Sequence, residues 1–209
     1  MTKLTEDTKL EILNDHYKET VADFKKTSKS RDTNFLIVLV LLGVMAFQFV
    51  SPDQSQSVLV EVINSSLSIN ATLSVNLLGS LVWAALLFAA IRYFQAVINL
   101  EKQYNYSHDL EELISKDYKG EAFTREGKSY LTDYPLFSTW VHFIYRTLFP
   151  LILAVIITIK IVGEWLVHSG FLPLMLNTVI YLALIISIAL YVYSLRNTEK
   201  HTEKDVSKK

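Results

Sequence analysis

Apolar residues in this chain fall in four long runs rather than at a helical or strand spacing. The first is Phe35 to Val50, interrupted only by Gly43 and Gln48, and the second extends from about Leu73 to Ile91, where Arg92 stops it. The third has its core from Thr147 to Ile159 and continues past Lys160 toward Trp165. The fourth extends from about Leu172 to Leu195 and stops at Arg196. A bilayer core needs about 20 residues of helix to cross it. A segment alone in lipid must also satisfy its backbone hydrogen bonds internally, so each run is predicted to be helical. The pattern therefore predicts an all-α integral membrane protein with four transmembrane helices.

Lys and Arg set the expected direction of threading. Seven lie before the first span, seven between residues 92 and 146, and five from Arg196 onward, whereas Lys160 alone lies toward the other side. By the positive-inside rule both termini are expected in the cytoplasm. The predicted plan is a cytoplasmic amphipathic helix (1–33), a first span (34–50), an external Ser/Asn-rich loop (51–72) and a second span (73–91). A cytoplasmic helical segment (92–146), a third span (147–167), an external turn (168–171), a fourth span (172–195) and a cytoplasmic tail (196–209) complete it. The polar stretch before the first span argues against a cleaved secretory signal, so that span is expected to act as its own targeting signal.

Both cytoplasmic segments carry helical patterning. Leu10, Leu13, Tyr17, Val21 and Phe24 recur every three or four residues, a narrow apolar stripe on a charged rod. Such a stripe suits a coiled-coil-like contact between copies, or packing of the segment on its own chain. The second span is expected to continue inward to about Tyr104, followed by a short helix from Ser107 to Tyr118 that ends at Gly120. Pro150 is expected either to kink the third span or to begin a separate helix after an interfacial segment, 136–146.

Composition changes this picture mainly by exclusion. Hydrophobic residues make up 51% of the chain, and the net charge of −1 gives no overall attraction to nucleic acid. With no cysteine there is no disulfide, thiolate metal site or cysteine nucleophile. His16, His108, His142, His168 and His201 show no metal-ligand spacing, and no set of residues suggests catalysis. Neither an enzyme nor a bound cofactor or metal is expected.

The remaining polar residues are candidates for binding or gating. Arg125, Lys128 and Tyr130, with Phe123 and Tyr134, combine cations that neutralise phosphate with rings that stack on bases. The structural alternative is a lid whose Arg125 and Lys128 face lipid headgroups or pair with Glu121 and Glu126. Lys160 and Glu164, four apart on one helix, could form a ring of charge or a gating pair; more often such residues reach toward headgroups at a helix end. Gln48, Asn76 and Ser80 are further pore or gating candidates. Trp140, Arg146 and Trp165 are expected membrane anchors: the two tryptophans lie roughly 37 Å apart along a helix, close to the about 40–45 Å of a bilayer with its headgroups. Ser80 with Ala84, and Ala85 with Ala89, are small pairs that permit close helix approach and favour a homo-oligomer.

Leu100-Glu101-Lys102-Gln103-Tyr104, His108, Leu110-Glu111, Phe123-Thr124-Arg125-Glu126-Gly127, Tyr130-Leu131 and Tyr134-Pro135 carry a resemblance to a family of bacterial four-span proteins. With its helical rod and four spans, the chain resembles the membrane effectors of the Hailong antiphage system. The Kiwa membrane protein, another four-span defence component, is a rival resemblance. The first implies a tetrameric channel-like effector in the bacterial inner membrane, controlled by single-stranded DNA oligomers or a related nucleotide ligand made by a partner nucleotidyltransferase. Its opening would depolarise the membrane and arrest growth. The alternative class is a non-conducting receptor or scaffold that recruits a soluble partner protein.

Overall fold

The computed structural model of the protein describes residues 6–67, 75–117, 140–141, 143–167 and 170–206, and every regular element among them is helical. In chain order these are α1 (Glu6–Val50), α2 (Pro52–Leu67), α3 (Val75–Asp117), a π turn (Ile144–Leu148), α4 (Phe149–Val167) and α5 (Phe171–Val206). Four stretches are long and apolar enough to cross a membrane: Glu11–Val50 in α1, Leu78–Tyr104 in α3, Ile144–Val167 over the π turn and α4, and Phe171–Asn197 in α5. The chain divides into two compact units, Met1–Asp32 with Gln95–Arg146, and Thr33–Phe94 with Thr147–Lys209.

In the first unit the amphipathic stripe settles on its own chain. Leu13, Tyr17, Val21 and Phe24 are half-buried, while Asp15, Lys18, Glu19 and Asp23 between them are exposed. The Tyr17 hydroxyl donates to Glu111 Oε1 at 3.1 Å, and His16 Nε2 lies 2.7 Å from the Tyr106 hydroxyl. Both partners belong to α3. A Glu101–Arg146 ion pair at 3.2 Å and the Arg31 guanidinium, 5.5 Å from the centre of the Tyr145 ring, add further contacts.

The second unit holds the apolar seams. Val38, Leu42 and Met45 of α1, Leu153, Ile157 and Ile161 of α4, and Leu184, Ile188 and Tyr191 of α5 are buried at spacings of three and four. In a water-soluble bundle the opposite faces would be polar. Here they are as apolar as the seams: Leu36, Val40, Leu151, Val155, Val179 and Ile186 are exposed. An apolar surface of this extent marks contact with a membrane or with other protein surfaces. Helix α3 is the most enclosed of the four, with half of its apolar window buried against 17% for α1.

An aromatic layer closes the interior of this unit. Tyr93 has no solvent exposure and lies 5.1 Å from Phe149, 5.7 Å from Phe94 and 5.9 Å from Phe35, centre to centre. Phe94 in turn stacks on Tyr191 at 4.5 Å. All four long helices contribute a ring, so the bundle axis is filled at that level.

Several boundaries differ from the sequence reading. The connection expected as a loop over 51–72 carries α2: Pro52 occupies its first position, where a missing N–H costs nothing, and Asp53 follows in the first turn. Pro52 also separates α2 from α1 by disfavouring helical geometry at Ser51. Helix α3 does not break after Tyr104, because neither Pro nor Gly interrupts it before Asp117. Helix α5 likewise continues past Leu195 to Val206. Pro150 lies just after a π turn that joins α4 without a break, and the interfacial segment expected over 136–146 lies partly outside the described residues.

Candidate functional site

The best-defined polar site belongs to the second unit and is centred on Glu164. Helix α4 carries Lys160 and Glu164 one turn apart, and Lys160 Nζ lies 3.6 Å from Glu164 Oε1. Trp83 of α3 donates its indole N–H to the same oxygen at 3.0 Å. Asn177 of α5 donates from Nδ2 to Glu164 Oε2 at 2.8 Å. One carboxylate thus gathers donors from three helices.

Burial distinguishes this cluster from a headgroup anchor. The side chains of Lys160 and Glu164 are each 13% exposed, Trp83 is fully buried and Asn177 nearly so. Lys160 lies about 17 Å along α4 from Phe149 and about 10 Å before Val167. Rather than extending to a helix end, it turns inward onto Glu164. Charge among apolar helices is costly unless paired and hydrogen-bonded, and the Lys160 ammonium with the Trp83 and Asn177 donors meets that requirement for Glu164. Asn177 Oδ1 is buried with no hydrogen-bond partner among the described residues, so the network is not fully satisfied.

Antiparallel pairing of α4 with α5 sets the register. Trp165 Nε1 donates to Thr178 Oγ1 at 3.2 Å, Glu164 meets Asn177, and the hydroxyls of Thr158 and Tyr181 lie 3.2 Å apart. From Glu164–Asn177 to Thr158–Tyr181 the α4 number falls while the α5 number rises, as an antiparallel hairpin demands. Helix α1 reaches the same turn through Phe49. A β-carbon at Gly163 would stand 2.7 Å from Phe49 Cε2, so only glycine allows this approach.

The structure brings together Lys160 and Glu164 of the sequence candidates and adds Trp83 and Asn177. Trp83 reads from sequence as one more apolar residue in a span, and its N–H becomes meaningful only once a partner faces it. Asn177 was a visible signal, a lone amide in an otherwise apolar run. Ser80 is buried on α3 one turn before Trp83, and Gln48 is half-buried in the last turn of α1. The side chain of Asn76, and Arg125, Lys128 and Tyr130 altogether, lie outside the described residues.

Anchors and small pairs divide in a similar way. Trp140 and Trp165 are half-exposed, with Trp140 stacked on Phe143. Arg146 is committed to Glu101. Ser80 and Ala89 are buried while Ala84 and Ala85 are exposed, so neither small pair lies wholly on an outward face.

No family model, no curated protein and no solved structure matches the chain. The class defined by its fold and site is an all-helical protein with four helices long and apolar enough to span a membrane, and with a largely shielded ion pair on one of them.

Proposed function

We propose that the protein is a homo-oligomeric, ligand-gated pore of the bacterial inner membrane, with both termini cytoplasmic, acting as the membrane effector of an antiphage system. The inward-turned Lys160–Glu164 pair carries this reading. A helix needs no such pair to stay in lipid, and apolar side chains of similar volume would hold the bundle at least as well. Ionisable groups kept inside spans mark ion pathways and gating elements. Since Tyr93 and its neighbours fill the axis of one chain, conduction would pass between copies; a tetramer is what the Hailong resemblance implies.

Control would come from the cytoplasmic side. Helices α1 and α3 each contribute residues to both compact units, which provides a covalent route between a ligand-binding region and the spans. The ligand would be a single-stranded DNA oligomer or nucleotide made by a partner nucleotidyltransferase, held by Arg125, Lys128 and Tyr130. Release of the gate would depolarise the infected cell. Induced expression with a potential-sensitive dye, with and without the partner enzyme, tests this: an unchanged membrane potential in both conditions defeats it.

The uniformly apolar outer faces of the spans favour a second reading, a non-conducting receptor or scaffold that recruits a soluble partner protein. That reading predicts a stable co-purifying protein and silent planar bilayers.

A further inference from the structure

Resting on the pore reading, the geometry points to a closed-state latch. Glu164 is its pin, Trp83 and Asn177 are its catches on the flanking helices, and Lys160 is the counter-charge that lets the pin sit inside. This assigns gating residues and a direction: the cluster described above holds the channel shut, and conduction requires its release.

Three features of the site support a latch over simple packing. The first is how the bonds are shared. Oε1 takes the Trp83 N–H and the Lys160 ammonium, and Oε2 takes the Asn177 amide. No second carboxylate among these contacts substitutes for Glu164, so a shift of α3 or α5 against α4 by one helical turn, about 5.4 Å, breaks its catch completely. Side-chain contacts of this kind are made or lost rather than stretched, which is the behaviour expected of a two-state element.

The second is where the other helices meet α4. Trp83 of α3, Asn177 of α5 and Phe49 of α1 all meet the stretch of α4 formed by Gly163 and Glu164. Motion of α3 or α5 is therefore felt at the carboxylate itself, and motion of α1 at the neighbouring Gly163. Thr158 and Tyr181 also join α4 to α5, but as an ordinary pair of hydroxyls outside the cluster.

The third is incomplete satisfaction. Asn177 is 5% exposed, and its Oδ1 has no hydrogen-bond partner among the described residues. Most buried acceptors are satisfied, so this one marks a gap in the network. A network left short offers a modest barrier to release, as a switch needs.

The full-length chain reconstituted into phosphatidylethanolamine/phosphatidylglycerol vesicles loaded with potassium provides the test. Trp83→Phe removes one donor while keeping a ring, Asn177→Leu removes the other catch, and Thr158→Val removes a hydroxyl bond outside the cluster. Particles of wild-type size are compared. Trp83→Phe and Asn177→Leu are expected to release potassium about tenfold faster than wild type, and Thr158→Val at the wild-type rate. If every protein leaks equally and above empty vesicles, the latch is wrong and the pore stands. Equal acceleration by all three variants means general loosening and also overturns the latch. If none exceeds empty vesicles, the pore reading falls and takes the latch with it.

A second measurement covers variants that misassemble. In a Trp140→Phe/Trp165→Phe background, Trp83 is the remaining tryptophan, and its fluorescence should be shielded from acrylamide in the closed protein. Adding Asn177→Leu should raise quenching at least twofold. Unchanged quenching in a conducting protein overturns the latch.

Discussion

Phe49 lies against Gly163 so closely that a β-carbon on the glycine would stand 2.7 Å from the ring. This close approach of the Phe49 ring to α4 uses the missing methyl group of Gly163, beside Glu164. Gly163→Ala forces Phe49 to move. Its ring is more than half exposed and can turn outward, so the cost falls at the low end for overpacking, about 1 kcal/mol. Adding Phe49→Leu should recover most of it. Thermal unfolding in detergent measures both, and a Gly163→Ala midpoint equal to wild type would show that the contact is loose.

The largely shielded Lys160–Glu164 pair predicts non-additivity. Lys160→Met strips the counter-charge from Glu164 and should destabilise by about 3 kcal/mol. Glu164→Leu combined with Lys160→Met removes both charges and should cost clearly less than the sum of the single changes. Denaturant titration of the purified protein gives the three values. Simple addition would mean that the two side chains do not interact.

Within the first unit, Tyr17 and His16 make hydrogen bonds of similar length but different worth. Glu111 is 6% exposed, so Tyr17→Phe removes a donor from a buried carboxylate and should cost about 1–3 kcal/mol. The His16–Tyr106 contact is exposed, and His16→Ala should change stability by less than about 0.5 kcal/mol. Hydrogen exchange along residues 100–111 should accelerate in the first variant and not in the second.

Continuity of α3 can be probed by proline. Asn105→Pro falls just after the position where the sequence suggested one helix giving way to another, yet α3 continues through it. In a continuous helix this substitution costs about 3 kcal/mol. An unaltered melting midpoint would restore the break.

Threading is testable without background because the chain has no cysteine. Single cysteines at Ser28 and Thr198 should resist a membrane-impermeant maleimide in intact cells, while one at Ser57 should react. The opposite pattern would reverse the proposed orientation.

The four apolar runs determined the helical class and the approximate positions of the four helices long and apolar enough to span a membrane, because length and hydropathy are properties of a segment alone. Helix ends were less legible at Tyr104, Leu195 and the 51–72 connection. Over 51–72 the polar composition suggested a loop, where a proline at a first helical position allowed helix. At Tyr104 one helix was expected to give way to another, and past Leu195 a tail was expected; the absence of breakers lets α3 and α5 run on. Lys160 and Glu164 were visible as neighbours on one helix turn. Only the tertiary structure decided that they face inward and that Trp83 and Asn177 complete their coordination. Those residues lie 81 and 13 positions from Glu164, and no local pattern specifies which face of one span meets which face of another. In these spans both faces are apolar, so the usual contrast between a buried and a solvated side, which lets a sequence announce its own packing, is absent.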